Sequence, residues 1–452
     1  MKSRVPIRVH AEQENIQAPA KQDGLPHITV TIIIAYNAYL ICTPYFRFDI
    51  FETLRTERVL AALSVIFLFA TGRLKPTLTK IAGLILVLFV WMLFSYYLSP
   101  YHNTSLVKGW FEEYWKTVLL YFLVFFSLTS LKDIGWFFTG WALTSFCYQM
   151  LSMADFVRGG SYVYQQGIRR IIGVWSEGGA GAANGFGLMA LITMIIAIFL
   201  ARLPVKTRYR QFLYCLTVLS LLSIVFSGTR GALLVAVALV MFLLRKYILK
   251  LKIVLALALV GYLAFLWMPA EYKHRYFGMI FQDKNREQTG WDELAEQSAQ
   301  SRWQGLVDGW RLAWKRPLVG FGPGASANAR FDYYPIKIAE GALQLHNLLG
   351  QVMADTGFVG TAIFLTIIGL AAAQLGRKGG AGPPPVDSSG YFQEYCSLVR
   401  YLLLGLFVYG FFAHSLYRYQ WVVFWAISDA LVRIRRQHEA QASAAEPSDQ
   451  GS

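Results

Sequence analysis

NGFGLMALITMIIAIFLARLPVKTRYRQFLYCLTVLSLLSIVFSGTRGALLVAVALVMFLLRK, residues 184–246, holds three long apolar runs broken in only two places. The first break carries Arg202, Lys206, Arg208 and Arg210. The second is the very short turn Ser227-Gly228-Thr229-Arg230-Gly231. A membrane helix needs about 20 mostly apolar residues, so the stretch reads as three helices crossing a bilayer in alternating directions. Basic loops stay on the cytoplasmic side, which puts the Arg202–Arg210 loop inside and the Arg230 turn outside.

Outward from this stretch the same pattern repeats. Apolar runs lie near 28–46, 57–72, 79–98, 114–130, 134–154, 184–202, 211–227, 230–246, 251–268, 347–374, 397–414 and 416–433. With the N-terminus in the cytoplasm, the short basic loops at Arg73–Lys80, Lys132, Arg202–Arg210, Arg245–Lys252, Arg377–Lys378 and Arg433–Arg436 all fall on one side. The expected fold is therefore all-α: a polytopic membrane protein of about 12 transmembrane helices. Residues 1–27 form a cytoplasmic tail, 28–268 the first nine helices, 269–346 a long periplasmic loop, 347–433 the last three helices, and 434–452 a disordered cytoplasmic tail. No removable signal peptide is expected, because no short apolar segment with a cleavage site follows the polar N-terminus.

Composition agrees. Of 452 residues 55% are hydrophobic and 15% charged, where a soluble domain carries roughly 25% charged residues. The net charge of +15 would suggest nucleic acid in a soluble protein; here cytoplasmic anchoring loops and an anionic substrate account for it, and no nucleic-acid partner is expected. The cysteines Cys42, Cys147, Cys215 and Cys396 form no CxxC pair and read as small buried hydrophobes. No HxxxH, HExxH or DxD motif suggests a metal site, and no cofactor is expected.

The outer side holds the unusual residues. Within the long loop, Glu293–Lys315 interleaves Trp303, Leu306, Val307, Trp310 and Trp314 with polar residues, the spacing of an amphipathic helix on or near the membrane. Pro317 and Gly320-Phe321-Gly322-Pro323-Gly324 end it. Five arginines stand on the side where the positive-inside rule disfavours them: Arg169, Arg170, Arg230, Arg302 and Arg418. An arginine costs on the order of 2.5–3.5 kcal/mol at the centre of a membrane helix and less near the interface. Arg230 is either a snorkelling side chain reaching headgroups or a phosphate ligand, for which the planar guanidinium is suited. Arg302 is either part of a solvated helix face or a second ligand. The Gly-rich stretch Gly178-Gly179-Ala180-Gly181 before Asn184 offers backbone amides to an anion. His346, followed by Asn347, lies at the outer mouth of a helix and titrates near neutral pH, as a structural residue or a proton acceptor. His414 ranks behind it.

Taken together, Arg302 and Trp310, Arg316-Pro317-Leu318-Val319-Gly320-Phe321-Gly322-Pro323-Gly324, His346-Asn347 and Asp355-Thr356-Gly357-Phe358-Val359-Gly360 resemble the O-antigen ligase family. Ser227-Gly228-Thr229-Arg230-Gly231 looks like that family's S-x-S/T-R-G turn. The likeness is detailed over roughly residues 165–365; each piece alone is short, and the ensemble carries it. Where the family often has N-P-N, this chain reads Ala183-Asn184-Gly185.

The resemblance implies a GT-C-like, metal-independent membrane glycosyltransferase of lipopolysaccharide and related polysaccharide biosynthesis. Such an enzyme takes a glycan from undecaprenyl diphosphate on the periplasmic side of the inner membrane and gives it to a lipid or protein acceptor, typically a sugar of the lipid A core. The family's functional positions fall on Arg230, Arg302 and His346. Arg230 and Arg302, with Arg169 or Arg170, are then expected to hold the diphosphate, His346 to orient or deprotonate the acceptor, and Asn347, Asn184 and Arg418 to support them. The same family contains polysaccharide polymerases and protein O-glycan ligases. A lipid-linked glycan flippase is the rival of another class, but transporters commonly show two similar halves and polar residues at the midplane. The halves here are unlike, and the polar content gathers in one outer loop.

Overall fold

The computed structural model describes residues 27–74, 77–165, 167–177, 179–245, 266, 270–277, 290–334, 344–376 and 390–445. Among these, the helices in chain order are α1 (Ile28–Cys42), α2 (Asp49–Thr53), α3 (Thr56–Ala70), α4 (Lys80–Tyr97), α5 (Ser105–Ser127), α6 (Leu131–Val157), α7 (Gly179–Arg202), α8 (Thr207–Phe226), α9 (Arg230–Leu244), α10 (Ala270–Phe277), α11 (Gly290–Lys315), α12 (Ser326–Tyr333), α13 (Leu348–Gly376), α14 (Tyr391–Gly410) and α15 (Tyr419–Ala445). A short 3-10 turn, Pro44–Phe46, follows α1. The all-α expectation meets one exception, an antiparallel hairpin of β1 (Tyr162–Gln165) and β2 (Ile168–Ile171).

Eleven of the twelve expected apolar runs coincide with helices; the run at 251–268 lies, apart from Leu266, outside the described residues. Among the described residues, four helices are long and apolar enough to cross a membrane: Lys80–Tyr97, Ala182–Arg202, Thr207–Phe226 and Leu348–Gly376. The two shorter apolar helices are Ile28–Cys42 and Arg230–Leu243.

The burial of these helices is graded in a way that suits lipid. The span within α7 is 83% buried, whereas α4 and α8 are 33% buried. On α4, Val87, Val90 and Phe94 stay exposed, and on α8 Val218, Leu221 and Leu222 do. Apolar patches of this extent mark a membrane-facing surface. Cys147 and Cys215 belong to that exposed surface, contrary to the expectation of buried cysteines; among the four only Cys396 is fully buried. The chain is an integral membrane protein in which α7 is the most buried of these spans, packed against α6, α8, α9 and α14.

At the end of the bundle expected in the cytoplasm, cations sit where helix C-termini present unpaired carbonyls, an arrangement the helix dipole favours. Arg433 donates to the carbonyls of Phe125 and Leu128 at 2.8 and 2.7 Å. Arg73 donates to that of Ser127 at 2.8 Å and pairs with Asp133 at 3.4 Å.

The opposite end carries α11, α12 and the hairpin. The described amphipathic helix begins at Gly290, three residues before the expected start. Trp303, Trp310 and Trp314 face outward, 68%, 48% and 63% exposed. Its inner face carries Leu312 and Ala313, both fully buried, and two glycines: a Cβ on Gly309 would come within 2.3 Å of the Gly350 backbone, and one on Gly350 within 2.2 Å of the Gly305 carbonyl oxygen. Small residues let two helix backbones approach closely, and this contact seats α11 across the start of α13. Gly357 then interrupts α13 at φ 68°, ψ −172°, conformations open to glycine alone.

The turn Arg316–Gly324 docks into that break. Phe321 and Gly322 donate backbone N–H groups to the carbonyls of Ala354 and Asp355 at 2.8 and 3.0 Å. The Asp355 carboxylate accepts from the N–H groups of Gly324 (3.1 Å) and Ser326 (2.8 Å) and from the Tyr417 hydroxyl (2.7 Å). The motif that carried the family likeness is thus a scaffold that fixes α11, and Arg302 with it.

Candidate active site

Residues 227–231 make the turn between α8 and α9, and helix packing on both sides fixes where Arg230 begins α9. A Cβ on Gly187 of α7 would lie 2.7 Å from Ser227 Oγ, and one on Gly231 would lie 2.6 Å from Phe412 Cβ. The turn is therefore clamped between α7 and the segment after α14. On its other side, the Phe412 carbonyl accepts a hydrogen bond from Arg302 Nε at 3.3 Å. Phe412 thus joins two arginines that lie 72 positions apart in the chain. Burial disfavours the charge on the Arg302 guanidinium, and the neighbouring guanidinium of Arg230 adds to that effect.

A third guanidinium comes from the hairpin. Neighbouring residues on a strand face opposite sides, and β2 uses this to separate Arg169 from Arg170. Arg170 points inward, 3% exposed, and its fork is filled by neutral oxygens: Ser227 O at 2.7 Å from Nε, Gln165 Oε1 at 2.5 Å and Asn184 Oδ1 at 2.7 Å. Burial draws its pKa down to about 10, so it remains a cation at neutral pH. Arg169 turns away, stacking over Tyr162 at 4.3 Å and donating to the Phe156 carbonyl at 3.3 Å. Of the two arginines expected to share one role, the structure brings only Arg170 to the others.

Asn184 is the hub of this arrangement. Its side chain holds Arg170, and its carbonyl accepts from the Tyr409 hydroxyl at 3.1 Å. Of the Gly-rich stretch before it, Gly179–Gly181 are taken into α7, and Gly178 lies outside the described residues.

His346 stands two residues before α13 and meets His414, which follows α14. Their Nδ1 atoms are 3.3 Å apart and their ring centroids 5.3 Å apart. Burial lowers the pKa of His346, and the guanidinium groups of Arg302 and Arg330 lower it further. Burial, followed by His346 and Arg418, drives His414 down to about 3. Both rings are therefore neutral near pH 7, and in the tautomer where His346 is the Nδ1–H donor to His414 its Nε2 carries no proton. That leaves His346 with its Nε2 atom for other chemistry. A cavity of about 50 Å³ is lined by Asn184, His346, Tyr409, Phe412, His414 and Arg418, among others. Asn347 does not reach it. Its Oδ1 accepts from the Gly350 N–H at 3.0 Å and its amide reaches the Phe411 carbonyl at 3.4 Å, so it caps α13 and ties it to α14.

Sequence reasoning missed the partners that hold these groups. Gln165 carries no motif, and its role appears only once the hairpin pairs it with Ile168. The buried pair Arg330–Asp308, 2.9 Å apart, supports α11 from α12 and was invisible in spacing. His414 was visible as an outer-side histidine, yet nothing in the sequence placed it against a residue 68 positions away.

Fold and site define a helical membrane protein with a cationic, histidine-containing pocket at one end. Residues 215–365 match the family model described as O-antigen ligase. No curated protein matches the chain. The matched region includes Arg230, Arg302 and His346; Arg170, Asn184, His414 and Arg418 lie outside it.

Proposed function

We propose that the protein is a ligase-type glycosyltransferase of the bacterial inner membrane. It moves a glycan from undecaprenyl diphosphate to an acceptor hydroxyl on the periplasmic side, in lipopolysaccharide or related surface-polysaccharide synthesis. The observation that supports this reading most is the gathering of Arg170, Arg230 and Arg302 from three separate elements beside the His346–His414 pair.

The chemistry follows from charge. When the bond between the anomeric carbon and the diphosphate oxygen breaks, negative charge grows on the leaving group. Preorganised cations stabilise such charge more in the transition state than in the ground state. Arg230 and Arg302 meet the diphosphate, while Arg170, held by neutral oxygens, adds positive potential behind them. The acceptor hydroxyl attacks the opposite face of the anomeric carbon, inverting it, and its proton passes to His346 Nε2. Undecaprenyl diphosphate departs. Its polyprenyl chain runs along the lipid-facing ledge of Trp310, Trp314 and Phe358, whose rings meet at 5.2–5.9 Å.

The test is transfer by purified protein from a defined undecaprenyl-diphosphate glycan to lipid A core. Arg302→Ala and Arg230→Ala proteins are expected to insert normally and to lose about 10²–10³-fold in turnover, the usual cost of removing one such donor. Wild-type turnover in both removes the diphosphate clamp. Deletion of the gene separates the ligase from a polymerase of the same family: a ligase leaves full-length glycan on the carrier, a polymerase leaves single repeat units.

A further inference from the structure

A second cavity, of about 330 Å³, lies on the far side of Arg418 from the histidine cavity, and Arg418 lines both. It is enclosed by the end of α1, the 173–177 segment, the start of α7 and the start of α15. Its size falls in the range of small-molecule sites. Its walls combine aromatic faces from Phe46, Tyr148 and Tyr419 with polar groups from Ser176, Glu177 and Gln420. Two of those groups have unmet demands: Ser176 Oγ and Gln420 Oε1 are buried without a hydrogen-bond partner, Gln420 being only 6% exposed. Buried polar atoms are satisfied in the great majority of cases, so these two are available to a polar group, water or ligand, that enters the cavity. Ser415 Oγ, in the wall of the histidine cavity, is orphaned in the same way.

The cavity also continues outward. It shares Phe46, Gly173, Ser176 and Glu177 with a wider groove of about 690 Å³ that runs past Asp155, Ser161 and Tyr162 of the hairpin region. Groove and cavity lead up to Arg418, which also lines the cavity of His346 and His414. Aromatic faces with alternating hydroxyl, amide and carboxylate groups suit pyranose rings, which offer apolar faces and a rim of hydroxyls. A lipid tail would leave the polar groups unpaired, and a diphosphate would meet Glu177.

We propose that this path is the acceptor-saccharide site: the terminal sugar of the acceptor fills the 330 Å³ cavity, hydrogen-bonded to Gln420 and Ser176, and the rest of the oligosaccharide lies in the groove. Arg418 then stands between acceptor and donor. The proposal rests on the glycosyl-transfer reading above and names the residues that would read the acceptor.

The experiment uses the full chain in nanodiscs and two separate titrations, one with delipidated lipopolysaccharide core oligosaccharide and one with undecaprenyl diphosphate. Gln420→Leu removes the orphaned acceptor atom, and Ala182→Phe fills the cavity from α7, so that misfolding of one variant leaves the other informative. Each is expected to weaken saccharide binding about tenfold or more, the loss expected when a buried hydrogen bond goes unmade, with donor affinity within about twofold of wild type. Unchanged saccharide affinity in both variants overturns the proposal, and so does a parallel loss of donor affinity, which would assign the cavity to the donor. Saccharide binding that is sensitive to these variants in a protein that neither binds undecaprenyl diphosphate nor transfers glycan would sink the transferase reading while sparing the cavity.

Discussion

Two buried arginines on the same face of the molecule are handled in opposite ways. Arg330, 2% exposed, is neutralised by Asp308 at 2.9 Å, and Gln304 donates to the second oxygen of that carboxylate at 2.7 Å. Arg170, 3% exposed, is held by two side-chain oxygens and one carbonyl, all uncharged. The fork of Arg170 is filled at all three nitrogens, whereas Arg330 bonds through Nε and leaves one terminal nitrogen buried without a partner, yet only Arg330 has its charge cancelled. A buried cation is costly unless paired. An uncancelled one persists where something from outside supplies the anion. Arg330 is therefore structure, and Arg170 is a standing positive potential beside Arg230 and Arg302.

The largest effect expected from this contrast is on stability. Asp308→Ala leaves Arg330 charged and buried without its partner, which typically costs about 3–5 kcal/mol. Thermal unfolding of the variant in detergent should show it, and the double variant Asp308→Leu, Arg330→Met should recover most of the loss. A single variant as stable as wild type would mean that Arg330 finds water, and the contrast with Arg170 would lapse.

A smaller effect lies in the pH dependence. A histidine whose pKa is lowered stays neutral, and competent as a base, down to below its ordinary value of 6.5. Activity should therefore be flat above pH 6.5 and fall only on further acidification, as His346 takes up a proton. Part of that lowering comes from Arg302, so the ring titration of His346 in Arg302→Gln, followed by NMR, should move to higher pH. A titration unmoved by that substitution would separate the histidine from the arginines.

The sequence made some of this legible and hid the rest for definable reasons. Apolar runs of membrane length mark helices directly, because the solvent imposes one requirement on every residue in them. That is why α4, α7 and α8 fall within a few residues of the expected runs at 79–98, 184–202 and 211–227. Arg230 and Arg302 stand out in the sequence because arginines on the expected outer side break a rule, and His346 because it lies at the mouth of a helix. The division of labour between Arg169 and Arg170 was not legible: it depends on strand alternation in a hairpin of four-residue strands, too short to announce itself among helices. Asn347 looked like a site residue because it adjoins His346, yet the helix it caps takes up both ends of its amide. The tryptophans of α11 read as one side of an amphipathic helix at the membrane, and they are exposed; what the hydrophobic pattern does not register is that the packing face, with Leu312 and Ala313, also contains Gly305 and Gly309.

The most direct measurement compares the two neighbours on β2. Affinity for undecaprenyl diphosphate should fall about tenfold or more in Arg170→Gln, a loss of one charge-assisted contribution, and should stay at the wild-type value in Arg169→Gln. Equal affinity in both variants, or a loss confined to Arg169→Gln, would contradict the account of Arg170 as an uncancelled guanidinium that helps to receive the diphosphate.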